Sequence, residues 1–445
     1  MRKAAYSHPI VHPIVRPIAV LTLLAFTVSC VTTQLPPISA SGAGFKPLPD
    51  EQALWEESRG EEEQLLEKVS LYEDPLLESY LQGVVVRLTP RGMADNPEVH
   101  YRVRVVEDPT LNAFAYPHGA IYVHTGLLAR IENEDQLATI LGHEMTHVEG
   151  RHMLRHQRSA HNKAVGLTIA SVAASVVVAA AESNALDNGH WGDAAAIDVM
   201  GDLIVDLGLQ LAFVAAVNGY GRGLETEADN GGFAKMAASG YELSEAPKVY
   251  ELLKQDYGEP RKMEAFFFGS HPRLAERVEN SKHYAGTHTP HAAEEATDRK
   301  AIDPDLFARR IRPVVRDDAG LNIELGRLKI AEEELTRALA WMPKDALTRV
   351  YVGRLRMAQA TEEKDEKQQA RLHTEAGASF KKAVELEPKL SGPHRELAIF
   401  LHNQEEDYKG SCRELKRYVE LAPQADDVDD IRAHIAELKS GGYCR

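Results

Sequence analysis

Residues 136–152 read QLATILGHEMTHVEGRH, and no other stretch restricts the possible folds as strongly. Leu137, Ile140, Leu141, Met145 and Val148 recur at helical spacing and define an apolar stripe, so the segment predicts a helix packed into a core. Within it, His143, Glu144 and His147 spell HExxH. Four-residue spacing puts both imidazoles on one helical face, where their nitrogens can share a zinc ion, while Glu144 projects beside it. Zinc lowers the pKa of water toward about 7, and the Glu144 carboxylate can take that proton and pass it to a leaving amine.

Two histidines do not complete a catalytic zinc site, which takes three protein ligands. An HExxHxxGxxH arrangement fails: Gly150 fits it, but position 153 is Met153 and His152 is one residue short. Downstream, Gly223-Leu224-Glu225-Thr226-Glu227-Ala228-Asp229 places Glu225 and Asp229 one helical turn apart. Glu225 is then the candidate third ligand, and Asp229 the acceptor for the outer N–H of a ligating histidine. Glu227 points elsewhere.

The rest of the chain sets the context. Its 445 residues exceed an ordinary single domain, and 44% hydrophobic with 27% charged residues is globular composition. A net charge of −16 without a Lys/Arg-rich run excludes a nucleic-acid backbone as partner and predicts repulsion from anionic lipid. Three cysteines, none in a CxxC pair, are too few for a disulfide scaffold.

Residues 1–29 read as a signal peptide, with Arg2, Lys3 and Arg16 followed by an apolar run from Ile18 to Val28 that is too short to span a bilayer. The run ends in Thr27-Val28-Ser29-Cys30, which resembles the lipobox of bacterial lipoproteins, making Cys30 the expected lipidation site. Residues 30–50, rich in Pro, Ser, Gly and Thr, read as a flexible tether. Residues 51–285 alternate helices and short strands, 286–304 form a linker, and 305–445 are helical and repetitive. There Ala331, Leu335, Ala338 and Pro343 share their offsets with Ala376, Phe380, Ala383 and Pro388, and with Ser411, Leu415, Tyr418 and Pro423. Those offsets match the second helix and terminal proline of a tetratricopeptide repeat, about three repeats in all, with a surplus at Thr361–Arg371. Such helix pairs stack into a concave surface that binds extended or helical segments. In an oxidising compartment, Cys412 and Cys444 are expected to pair. The uncharged stretch Ala164–Ala181 and the apolar Leu203–Val217 are expected to be helices packed over the peptidase domain, with a membrane span as the competing reading.

HExxH followed by ExxAD, preceded by Asn112-Ala113-Phe114-Ala115, Gly119 and Ile121-Tyr122-Val123, and followed by His271-Pro272, resembles the CAAX-prenyl-protease-like zinc peptidases, specifically their soluble envelope branch with a C-terminal tetratricopeptide domain. The resemblance implies an α+β gluzincin-type peptidase domain, mostly helical with a small sheet, followed by an all-α tetratricopeptide-like domain. It implies one Zn2+ per chain on His143, His147 and Glu225, with Glu144 as catalytic base, and places the substrate on an edge strand, Ala120 to His124, with Ala120, Tyr122 and His124 as contacts. His118 and His124 depart from the family's usual residues there. His271, held before Pro272 at a helix start, is expected either to fill the open metal position at rest or to donate to the developing oxyanion. The expected activity is endopeptidase cleavage of unfolded or misassembled envelope proteins at the periplasmic face of the outer membrane, held there by a lipid anchor. The repeats would engage substrate or the outer-membrane assembly machinery. A chaperone or binding module with latent proteolysis is the competing reading, and intact HExxH and ExxAD argue for the enzyme.

Overall fold

A computed structural model describes residues 31–163, 222–256, 274–288 and 303–444. The signal segment, Cys30, the apolar stretches within 164–217, His271 and most of the expected linker lie outside the described residues.

The first half is α+β. Helix α1 (Pro49–Lys68) starts on a proline, with Glu51 reaching back to the N–H of Leu48. Helix α2 (Pro75–Leu88) starts on the Asp74-Pro75 pair, the Asp74 carboxylate accepting from the N–H groups of Leu76 and Leu77 at 2.8 and 3.1 Å. Strands β1 (Arg102–Val106), β2 (Ala113–Ala115) and β3 (Ala120–His124) form one sheet, and a short helix α3 (Thr125–Arg130) leads to α4 (Glu134–Glu149), capped by Asn133. After a two-residue break at Gly150 and Arg151, α5 covers 152–163. Then come α6 (Arg222–Ser239), α7 (Ala246–Asp256) and α8 (Leu274–Thr287).

The strand order corrects one expectation. β3 is the centre of the sheet, parallel to β1 and antiparallel to β2, and all five of its residues are buried. Both its backbone edges are therefore already paired, and Ala120, Tyr122 and His124 cannot line up an extended substrate. Tyr122 instead donates to Glu62 of α1 at 2.6 Å, and His124 Nδ1 lies 2.8 Å from the Thr110 hydroxyl. Of the two edge strands, β1 is partly covered by residues 70–72, with Leu71 bridged to Val106 and the Tyr72 N–H donating to the Val105 carbonyl, which leaves β2, beside α4, as the open edge among the described residues. The His124 N–H donates to the Asn112 carbonyl and the Tyr116 N–H to the Ala120 carbonyl, so alternation turns the N–H and C=O of Ala113 and Ala115 outward. The hairpin is held from behind by α1: His118 lies 2.8 Å from Ser58 and 2.9 Å from Glu62, which also pairs with Arg102.

A second correction concerns the tether. Residues 31–48 lie on the domain, because two apolar anchors in the Pro/Ser/Gly-rich sequence find a cleft: Ile38 and Phe45 are buried among Trp55, Met93, Val99 and Val148. The Val31 backbone exchanges hydrogen bonds with the Asn162 side chain at 2.9 and 2.7 Å, and Arg158 of α5 binds the Thr32 carbonyl and the Asp50 carboxylate.

The second half is seven helices: α9 (Pro304–Glu324), α10 (Leu328–Trp341), α11 (Ala346–Glu362), α12 (Glu366–Leu386), α13 (Ser391–Asn403), α14 (Tyr408–Leu421) and α15 (Val428–Ser440). The residues singled out by their offsets, Ala331/Leu335/Ala338, Ala376/Phe380/Ala383 and Ser411/Leu415/Tyr418, are all buried, and each proline follows its helix by two residues. The surplus between the first and second sets lengthens α11 and α12 instead of forming a loop. Cys412 and Cys444 form a disulfide with Cα atoms 5.9 Å apart, beside Leu415, Ile435 and Leu438.

The halves share one core. Phe307, Ile311, Val314 and Val315 of α9 pack with Leu77, Leu81, Ile121, Leu137 and Leu141. Polar bonds rim the joint: Tyr72 donates to Asp317 at 2.8 Å and Thr125 to Asp318 at 2.6 Å.

Candidate metal centre

Two helices make the site. In α4 every residue except Asp135 is buried, His143, Glu144 and His147 included. Helix α6 crosses it at glycines: a Cβ on Gly232 would stand 2.9 Å from the His143 backbone nitrogen, and one on Gly142 would stand 3.2 Å from the Gly232 Cα. Backbone contact at that crossing brings the first turn of α6 within reach of both histidines. Donor atoms of His143, His147 and Glu225 lie within 4.8 Å of one another, all three side chains buried. The two Nε2 atoms are 2.9 Å apart, and each lies 3.6 Å from a Glu225 oxygen.

Asp229, one turn beyond Glu225, lies 2.9 Å from His143 Nδ1. It also accepts from Arg277 of α8, through Nη2 at 2.6 Å and Nε at 3.1 Å, and from the Tyr250 hydroxyl of α7 at 2.9 Å. Burial opposes its ionisation, but Arg277 and His143 outweigh burial and hold the carboxyl far below the usual range. The Arg277 guanidinium stacks 4.4 Å over the Tyr250 ring and also approaches His143 Nδ1 at 3.0 Å. Two donors face each other there because both end on the same carboxylate. Glu227 lies away from the three donors: both its oxygens pair with Arg155 at 2.9 Å, and Oε1 faces His152 at 3.6 Å.

Sequence reasoning passed over Arg277 and Tyr250. Arg277 ends the FFFGSHPRLAER segment in which only His271 drew notice, and its signal is a charge on the buried face of a helix, readable only once that face is known. His152, one residue short of the HExxHxxGxxH ligand position, is fully buried with Nδ1 2.9 Å from Nδ1 of His147.

Two imidazoles and a carboxylate converging on one point, each histidine with its outer nitrogen bonded, are the donor set of a catalytic zinc site. The profile of peptidase family M48 matches residues 75–285, the span that contributes every one of these groups. Residues 75–285 belong to peptidase family M48. M48 peptidases use zinc, and His143, His147 and Glu225 fit it. Among relatives, the chain is 28% identical to the mitochondrial metalloendopeptidase OMA1 of Schizosaccharomyces pombe over 232 residues, 50% of this chain and 59% of that protein. It is 26% identical over 236 residues to the beta-barrel assembly-enhancing protease of Escherichia coli strain K12, covering 53% and 44%. To the protein of that name from Yersinia pestis it is 25% identical over 235 residues, again 53% and 44%. The chain thus spans about half the length of the curated relatives it matches.

Proposed function

We propose that this chain is a zinc-dependent endopeptidase of the bacterial cell envelope that cleaves misfolded or misassembled polypeptides in outer-membrane protein quality control. The observation that carries the reading is the convergence of His143, His147 and Glu225 with Glu144 buried on the same helix. Zinc held by those three side chains would polarise the scissile carbonyl and acidify water beside it. Glu144, which is not a ligand in this reading, takes the proton and delivers it to the leaving amine. Asp229, fixed by Arg277 and Tyr250, keeps the His143 proton on Nδ1 so that Nε2 faces the metal. An extended substrate adds as a strand to β2 through the outward backbone groups of Ala113 and Ala115; main-chain pairing is indifferent to sequence, which suits unfolded targets.

The envelope setting rests on the Cys30 lipobox and on relatives named for beta-barrel assembly. In this reading the acylated Cys30 anchors the enzyme at the periplasmic face of the outer membrane. Helices α9–α15 serve as tetratricopeptide-like repeats that engage substrate or the assembly machinery, and His271 controls the open metal position. Among the described residues no helix is long and apolar enough to cross a membrane.

Zinc content and cleavage of unfolded casein test the reading together. Glu144→Gln keeps about one zinc per chain and loses cleavage; Glu225→Ala loses the metal. Full zinc occupancy in Glu225→Ala rejects the ligand set. His271→Ala raises activity if the histidine blocks the metal and lowers it, at unchanged zinc, if it stabilises the oxyanion; no change in rate or metal affinity rejects both roles.

A further inference from the structure

The backbone explains why His152, one residue short for a ligand, sits where it does. After α4 ends at Glu149, Arg151 takes a φ of 55°, the left-handed region that costs a residue with a side chain on the order of 1 kcal/mol. That single residue turns the chain so that α5 begins by laying His152 back across the last turn of α4. The ring covers Gly150, where a Cβ would stand 2.4 Å from its Nε2 and 2.7 Å from its Cδ2, so glycine alone leaves room for it. Strained Arg151, side-chain-free Gly150 and a fully buried imidazole thus serve one outcome, a 2.9 Å approach of His152 Nδ1 to His147 Nδ1.

Counting protons gives this contact a direction. His147 Nε2 faces His143 and Glu225 and is the atom offered to zinc, so its Nδ1 carries the proton and donates to His152 Nδ1. His152 then keeps its own proton on Nε2, which lies 3.6 Å from Glu227 Oε1, a charge contact longer than a hydrogen bond, and Arg155 holds Glu227 in place through both oxygens. We propose that His152 and Glu227 are positioning residues for the metal centre, a carboxylate–histidine–histidine chain that fixes the tautomer and ring orientation of His147. His143 is thereby backed directly by an anion, Asp229, whereas His147 is backed by a neutral ring that passes on the pull of a carboxylate one step further out.

The proposal rests on the zinc-site reading above, and the zinc content of the wild-type protein separates the two: a wild type that takes up no zinc overturns that reading and this one together. With zinc bound, affinity is measured by chelator competition, ring geometry by the visible spectrum of the Co2+-substituted protein, and folding by thermal unfolding of the metal-free protein. His152→Leu is expected to weaken zinc binding about tenfold or more and to change the cobalt spectrum. His152→Asn, whose Oδ1 can accept the His147 proton, is expected to restore most of the affinity. Glu227→Gln, at a half-exposed position that folding tolerates, is expected to weaken zinc several-fold with an unchanged metal-free melting temperature. Wild-type affinity and spectrum in Glu227→Gln would overturn the chain even if His152→Leu fails to fold, and a His152→Leu protein that binds zinc like wild type would reduce His152 to a core filler.

Discussion

The two halves of the molecule solve the burial problem in opposite ways. Residues 49–288 bury many ionisable groups in paired sets: Glu62 with His118 and Tyr122, Glu51 with Arg151, Glu134 with Tyr80 and Tyr241, and Asp229 with Arg277, Tyr250 and His143. The helical half buries mainly small and apolar side chains at repeating offsets. Apolar packing tolerates exchange of like for like, whereas a paired charge fails when one member is removed. The first half is thus built to hold particular atoms in place, and the second to hold helices in register.

Glu144→Gln should break the comparison most sharply, lowering kcat on an unfolded substrate by about 10² to 10⁴-fold while zinc content and melting temperature stay at wild-type values. Chemistry and stability separate there because the group that acts is not one that packs. Phe380→Ala should do the reverse. Phe380 is buried against Phe400, with ring centroids 5.7 Å apart, and its loss should cost about 3 to 5 kcal/mol in urea unfolding while the zinc affinity of the folded protein is kept. Cys412→Ser should cost roughly 3 to 4 kcal/mol by release of the 32-residue closure, and a reductant should destabilise wild type but not the variant.

A different kind of effect, read against pH, concerns the joint between the halves, where apolar and ionic solutions meet. Asp318 and Glu334 are buried beside Asn322, whose side chain donates to both at 3.0 Å. Burial pushes both carboxyls above their ordinary range; the charge of Asp318 raises Glu334 further, while the hydrogen bonds from Thr125 and Glu334 only partly offset burial at Asp318. A folded-state value raised above the unfolded one means that the folded protein holds the extra proton, so stability is fully present below about pH 4 and falls as pH rises toward and through neutrality, by at most about 1.4 kcal/mol per pH unit for each proton. Urea midpoints measured across that range should show the decline, and Asp318→Asn should flatten it. A flat wild-type profile would mean that no proton is held there.

Legibility followed the range of the contacts. The spacing of His143 and His147 is a property of one helix, so four residues of sequence suffice to place them on a common face. The burial of Ala331, Leu335 and Ala338 and of their counterparts is equally local, because each set lies within a single helix. Strand order is not local: whether Ala120–His124 lies at the edge or the centre depends on β1, contributed by residues 102–106, choosing it as a parallel partner. The segment 31–48 misled for a similar reason, since Pro, Ser and Gly set its average composition while Ile38 and Phe45 decide where it lies. Arg277 is a lone charge until α8 is seen to bury it against Asp229.

The docked segment 31–48 also bears on how such an enzyme would search for its targets. A free linker of about 20 residues would let the catalytic centre roam on the order of 25 Å from an acylated Cys30. With Val31 fastened to Asn162 and Thr32 to Arg158, that slack is gone, and lipid attached at the proposed site would carry the whole body as one piece. Hydrolysis would then be confined to a thin layer at fixed height above the bilayer, and encounters would be governed by lateral diffusion in two dimensions, reaching polypeptides stalled at the membrane surface before those dispersed in the fluid around it.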